Sequence, residues 1–67
     1  MGNMAELRRK IDQSGMTMTA VAEKIGVSRE TLYNKLSGES EFKASEIVSL
    51  TRVLRLERTE QDDIFFT

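Results

Sequence analysis

The stretch from Met18 to Gly38, MTAVAEKIGVSRETLYNKLSG, restricts the fold of this chain more than any other part of it. It sets two short amphipathic patterns back to back across Gly26. In the first, Thr17 stands at a capping position and Val21, Ala22 and Ile25 recur at helical spacing, which predicts a helix over about Met18 to Ile25. Ala22 is small enough to let another helix axis come close. Gly26 supplies the positive φ that ends this helix and turns the chain sharply, and Val27 folds back beside the turn. In the second pattern Ser28 is the cap, Leu32 and Leu36 lie four residues apart on one face, and Gly38 closes a helix of about Arg29 to Ser37. Arg29, Glu30, Tyr33, Asn34 and part of Lys35 are left outside.

The flanking segments read as further helices. Asn3 is a cap with Glu6 three residues on, in the capping-box position, and Met4, Leu7 and Ile11 predict a first helix from about Met4 to Gln13, ended by Ser14 and Gly15. Its other face carries Arg8, Arg9 and Lys10, read as a solvated face, with phosphate contact by one or more as the sharper alternative. Beyond Glu39-Ser40-Glu41, Phe42 plugs the core ahead of a fourth helix, about Ala44 to Leu54, with Ile47, Val48, Leu50 and Leu54 inward and Val53 nearby. Leu56 is a further core candidate. Thr59 and Asp62 resemble a capping pair that starts a short fifth helix, about residues 60–66, carrying Ile64, Phe65 and Phe66. The expectation is one all-α domain of five helices over residues 1–67. At least one of the last three apolar residues seals the bundle, and the others are candidates for contact with a second chain.

A domain of 67 residues buries a low fraction of its surface and leans on extra support. With no Cys and no His, neither a disulfide nor a zinc site is expected, and no closely spaced acidic loop offers a cation site. The same absences, with no Gly-rich phosphate loop and no convergent acid pair, argue against an enzyme and against a cofactor or small-molecule substrate. No apolar run is long enough for a membrane span, and the N-terminus lacks a secretory pattern, so a cytoplasmic location is the expectation. A packed bundle or a dimer remains.

A tight helix pair whose second member keeps an exposed polar face is best known for placing that member in the major groove of DNA. Net charge is the difficulty: −1 overall, with a pI near 5.4. The charge is divided unevenly, however. Residues 1–36 carry +2 and residues 37–67 carry −3, so the acid lies away from the proposed reading helix. Binding responds to local potential, and modest non-specific affinity is the expectation.

On these residues the chain resembles the phage Cro/CI-type, lambda repressor-like helix-turn-helix family. Val21-Ala22, Ile25-Gly26-Val27, Ser28 and Leu32 carry the likeness, and a basic first helix and a Phe42-led helix extend it over about residues 4–56. The ending, Thr59 to Phe66, is similar to the C-terminal segment of small prophage regulators. Lys35 departs from the pattern, since that position is usually apolar; its stem can lie along the core while its ammonium reaches solvent or phosphate.

The resemblance implies base reading by Arg29, Glu30, Tyr33 and Asn34. Arg29 suits guanine O6 and N7, Asn34 suits adenine N6 and N7, and Tyr33 suits a thymine methyl or a phosphate. Glu30 has two roles open, accepting from cytosine N4 or favouring the helix dipole and steering Arg29. Phosphate candidates are Thr17 and the free N–H groups at Met18, with Ser28, Lys35, Ser37 and Lys43. Thr17 and Ser28 serve equally as caps. One such domain reads few base pairs, so the implied partner is a near-palindromic double-stranded operator bound by a homodimer, with Ile64, Phe65 and Phe66 as dimer candidates. Repression by occlusion on the nucleoid of a bacterial or phage-infected cell is the simplest mechanism. The competing readings are an antitoxin-like or mobile-element regulator of the same fold, and a protein-interaction module that does not bind DNA.

Overall fold

The computed structural model describes residues 3–66; residues 1, 2 and 67 of the expected domain lie outside the described residues. Five helices follow in order: α1 (Met4–Ser14), α2 (Met18–Ile25), α3 (Arg29–Leu36), α4 (Ala44–Val53) and α5 (Arg58–Phe65). No strand occurs among the described residues, and no helix there is long and apolar enough to cross a membrane.

One core serves all five. Leu7 and Ile11 of α1, Val21, Ala22 and Ile25 of α2, Leu32 of α3, Leu50 of α4, Leu56 of the connection after it and Ile64 of α5 are buried together. α2 packs on α3 and α4, while α1 packs on α3 and α5, so α3 is held from two sides. Met4, Val27, Leu36, Phe42 and Leu54 pack half-buried around this centre, as their spacing predicts. Val48 does not: it is 51% exposed. The buried line of α4 runs through Glu46 and Leu50, four apart, and Val48 stands two residues from each, on the far side of the helix.

Local chemistry sets the boundaries. The Asn3 side chain accepts from the Glu6 N–H at 3.1 Å, but the capping box stays half-made. The Glu6 carboxylate turns to Arg9, and the Asn3 N–H donates to the Ile64 carbonyl at 2.6 Å, tying the start of α1 to the end of α5. Thr17 and Ser28 cap α2 and α3 as expected, each accepting an N–H three residues on. Between them Gly26 sits at φ +84°, with the Val27 N–H on the Ala22 carbonyl and the Gly26 N–H on the Glu23 carbonyl, a Schellman ending.

The start of α5 differs from the sequence expectation. Thr59 and Asp62 are not its cap; the Glu60 carboxylate accepts from the Glu57 N–H at 2.9 Å and the helix begins at Arg58. Glu60 is one methylene longer than Asp62 and reaches back across the first turn. This earlier start carries Ile64 fully into the core, so Ile64 is not available as a dimer contact. Phe65 is half-buried, edge-on to Phe42 at 5.8 Å between centroids, and Phe66 is 62% exposed.

Candidate nucleic-acid interface

α3 is a helix with little apolar surface of its own. Leu32 is its one fully buried hydrophobic residue, and its outer face keeps Arg29, Glu30 and Asn34 exposed and Tyr33 half-buried. A helix so built depends on its neighbours for position. α2 fixes it through the Gly26 turn, and α1 lies against its other flank.

The four residues expected to read bases are not equivalent. Arg29 and Tyr33, one turn apart, are brought together, with the Arg29 guanidinium carbon 5.1 Å from the ring centroid. Glu30 stands in the first turn, where its charge favours the helix dipole, and no Arg29–Glu30 ion pair forms among the described residues. Asn34 is exposed through its side chain, while its carbonyl accepts from the Ser37 hydroxyl at 2.9 Å and from the Glu39 N–H at 3.0 Å.

The phosphate candidates divide as well. Thr17 is exposed and caps α2, accepting from the Ala20 N–H at 3.0 Å. Met18 packs its half-buried thioether on the core, which leaves its main chain, in the unpaired first turn of α2, as the part able to meet an anion. Ser28 accepts from the Thr31 N–H and donates to the Thr31 hydroxyl at 2.8 Å. Ser37 ends α3, and Lys43, exposed, precedes α4.

Lys35 is the correction. Its ammonium does not project to solvent: it is buried, donates to the Glu41 carbonyl at 2.9 Å, and pairs with Glu46 at 3.1 Å. Lys35 follows Leu32 by three residues on the inward face, where a cation needs a partner, and Glu46 supplies it. A Lys so engaged reaches no phosphate without leaving Glu46 alone in the interior.

Burial pushes the Glu46 carboxyl up, yet the Lys43 N–H at 2.8 Å and the Lys35 ammonium together hold it below its ordinary value of 4.5. Among the described residues no cluster of acids is placed to hold a metal ion.

Arg8 is the residue that the sequence reading did not single out. Its guanidinium carbon lies 5.5 Å from the Tyr33 centroid, so α1 contributes a cation to the face of α3. Arg8, Tyr33 and Ser37 line one shallow groove with Met4, Ala5 and Leu36. Three adjacent basic residues could not be told apart by composition. Nor do their local partners separate them, since Glu6 stands three residues before Arg9 and Asp12 four after Arg8, both spacings of a helical pair.

Residues 6–61 match a family model described as Helix-turn-helix. The chain belongs to that helix-turn-helix family. No curated protein and no solved structure gives a match. The helix-turn-helix family is one of DNA-binding domains of transcription regulators, of the Cro/CI type, and not of enzymes. In this helix-turn-helix chain the matched span takes in all of α2, α3 and α4, most of α1 and the start of α5.

Proposed function

We propose that α2 and α3 are the helix-turn-helix pair, that α3 enters the major groove, and that the chain is a sequence-specific repressor acting as a homodimer on a near-palindromic operator. The observation that carries this reading is the outer face of α3: Arg29, Glu30 and Asn34 exposed and Tyr33 half-exposed on a helix whose other side is fixed by Leu32 and Lys35. Side chains that serve the core do not need this composition. Arg29 is suited to guanine, Asn34 to adenine, Glu30 to cytosine N4, and Tyr33 to a thymine methyl.

Thr17, the Met18 N–H, Ser28, Ser37 and Lys43 would position the domain on phosphate oxygens. Thr17 can do so while capping, because a hydroxyl that accepts an N–H still has a proton to donate, whereas Ser28 would first turn its proton away from the Thr31 hydroxyl. The longest dimension of the domain is 26 Å, less than the roughly 34–36 Å between the centres of adjacent half-sites, so reading both takes two copies. Bound there, the dimer would exclude polymerase from the promoter, and its place in the cell would be the nucleoid.

The test is selection of bound duplexes from a random DNA pool, with the wild type and with Arg29→Ala and Asn34→Ala. The wild type is expected to enrich a near-palindrome, and each variant to relax one position per half-site at about 1–3 kcal/mol. A wild type that enriches nothing, or variants that select the same motif at unchanged affinity, would overturn the reading.

A further inference from the structure

The three adjacent cations of α1 have three different occupations. Arg9 is held by Glu6, its Nε donating at 2.9 Å and its Nη2 closing the pair. Lys10 is taken by Glu60 of α5, which pins that helix to α1. Among the described residues Arg8 has only a loose carboxylate neighbour, Asp12, at 3.8 Å, and both side chains are open to water. Such a pair contributes little and yields readily to a better anion.

What orders Arg8 is Tyr33. Two guanidinium groups converge on that ring, Arg8 from α1 at 5.5 Å and Arg29 from α3 at 5.1 Å. A ring engages a cation through its face, which leaves the in-plane N–H donors of the guanidinium free at its edge. Beside the ring runs a groove of about 370 Å³ lined by Met4, Ala5, Arg8, Tyr33, Leu36 and Ser37, without a carboxylate. Two like charges drawn together in a chain of net charge −1 mark a local positive site, and the ligand it suits is an anion with several acceptor oxygens.

We infer that Arg8 is a DNA-phosphate contact supplied from outside the α2–α3 pair, and that Tyr33 is the positioning residue that holds it in line with α3. This rests on α3 being the helix in the major groove. A helix in that groove runs between two phosphate strands, and a cation carried beside it by the next helix meets the strand rather than a base edge. The contact is an Arg fork on one phosphodiester. Because the ring restrains the guanidinium before binding, less side-chain freedom is lost when the contact forms. Tyr33 thus acts through its face on Arg8 and Arg29, a role separate from the thymine contact proposed for it.

The experiment measures binding of the full chain to two duplexes of equal length, the sequence enriched by the wild type and a scrambled one, over a range of KCl concentrations. Arg8→Gln is expected to weaken both by the same factor and to lower the slope of log K against log[KCl] by about 0.9, the loss of one phosphate, with the selected motif unchanged. Arg8→Lys is expected to keep the slope, and Asp12→Asn to raise affinity for both duplexes. Tyr33→Phe, which retains the ring face and removes no charge, is expected to keep the wild-type salt slope. Tyr33→Leu should lower the slope as Arg8→Gln does and, because the ring also holds Arg29, relax the position that Arg29 reads, with circular dichroism melting to verify that it is folded.

An Arg8→Gln slope equal to that of the wild type, or a loss confined to one base position, would overturn the role of Arg8 while leaving α3 as the reading helix. A wild-type chain that binds neither duplex would overturn both.

Discussion

Lys35 and Glu46 form an ion pair of 3.1 Å across the junction of α3 and α4, with less than a tenth of either side chain exposed. The same carboxylate oxygen accepts from the Lys43 N–H at 2.8 Å, so Glu46 closes the first turn of α4 while neutralising a residue of α3. Lys35 also donates to the Glu41 carbonyl and stands 5.7 Å from the Phe42 centroid, which fixes the connecting loop. Removing one partner leaves a buried charge alone. Lys35→Met is therefore expected to destabilise by about 3 kcal/mol, the low end of the range for buried pairs because a groove beside Phe42 admits water. The double variant Lys35→Met with Glu46→Met should recover most of that loss, since apolar replacement of both charges is often neutral or favourable. Urea unfolding of the two single variants and the double variant checks this. In DNA binding, Lys35→Met should keep the wild-type salt slope, which separates its inward role from a phosphate contact.

Three carboxylates give the fold an acid limit. The hydrogen bond from Arg9 holds Glu6 below 4.5, and the bond from Lys10, followed by the Glu57 N–H, does the same for Glu60. At Glu46 burial opposes the shift, and the Lys43 and Lys35 donors overcome it. Each group takes up its proton more readily in the unfolded chain than in the folded one. The stability they contribute is thus complete above the unfolded value near 4.5, and is lost as pH falls through the lower folded values. Thermal melting between pH 7 and pH 3 should show a plateau and then a fall that begins near pH 4.5. Glu46→Gln should lie lower at neutral pH and fall less steeply below it.

The bundle was legible because its interior follows helical spacing closely: Leu7 and Ile11, Val21 and Ile25, and Leu32 all lie where their intervals place them. Side-chain length lies behind the misread charges, while Val48 was misread through the phase of α4. Glu46 and Lys35 carry charge inward because each is long enough to meet the other, and pattern reading treats a charged residue as an outward one. At the start of α5 the Glu57–Glu60 pair is made in place of Thr59–Asp62, at the same spacing of three, by a carboxylate one methylene longer than that of Asp62. Arg8 joins the face of α3 only once α1 is packed on it, a relation between segments 25 residues apart that no local interval encodes. The face of α3 itself was readable, since Arg29, Glu30 and Asn34 are exposed on the side opposite Leu32.

One helix ends without a residue made for the task. Arg55 has φ +54°, the left-handed conformation that Gly26 and Gly38 adopt at the ends of α2 and α3. The Leu56 N–H meets the Thr51 carbonyl at 2.9 Å, a Schellman ending with an Arg at the glycine position. A side chain there costs about 1–2 kcal/mol, and glycine gives back part of the gain through its freer unfolded chain. Arg55→Gly is expected to stabilise by about 0.5–1 kcal/mol, a rise in Tm of roughly 2–8 °C. Gly26→Ala should move the other way by about 1–2 kcal/mol, through φ alone, because an added Cβ meets nothing within 4 Å. Paired melting curves read both signs.

The two ends of the Ile64-Phe65-Phe66 run should separate folding from association. Ile64 is fully buried and its carbonyl accepts the Asn3 N–H, so Ile64→Ala is expected to cost about 2–5 kcal/mol in unfolding. Phe66 is 62% exposed and leans on Phe65 at 6.4 Å between centroids, so removing its ring leaves the core intact. In the proposed homodimer that ring is the apolar surface nearest to the acidic end of α5, and a carboxylate placed there would face a like-charged neighbour across a two-fold axis. Phe66→Glu is therefore expected to melt within about 0.5 kcal/mol of the wild type. Sedimentation should show its self-association weakened at least tenfold, and its binding to a single half-site duplex unchanged. If Phe66→Glu dimerises as the wild type does, the two copies meet elsewhere, and the half-exposed Phe65 and the exposed Val48 become the next residues to replace.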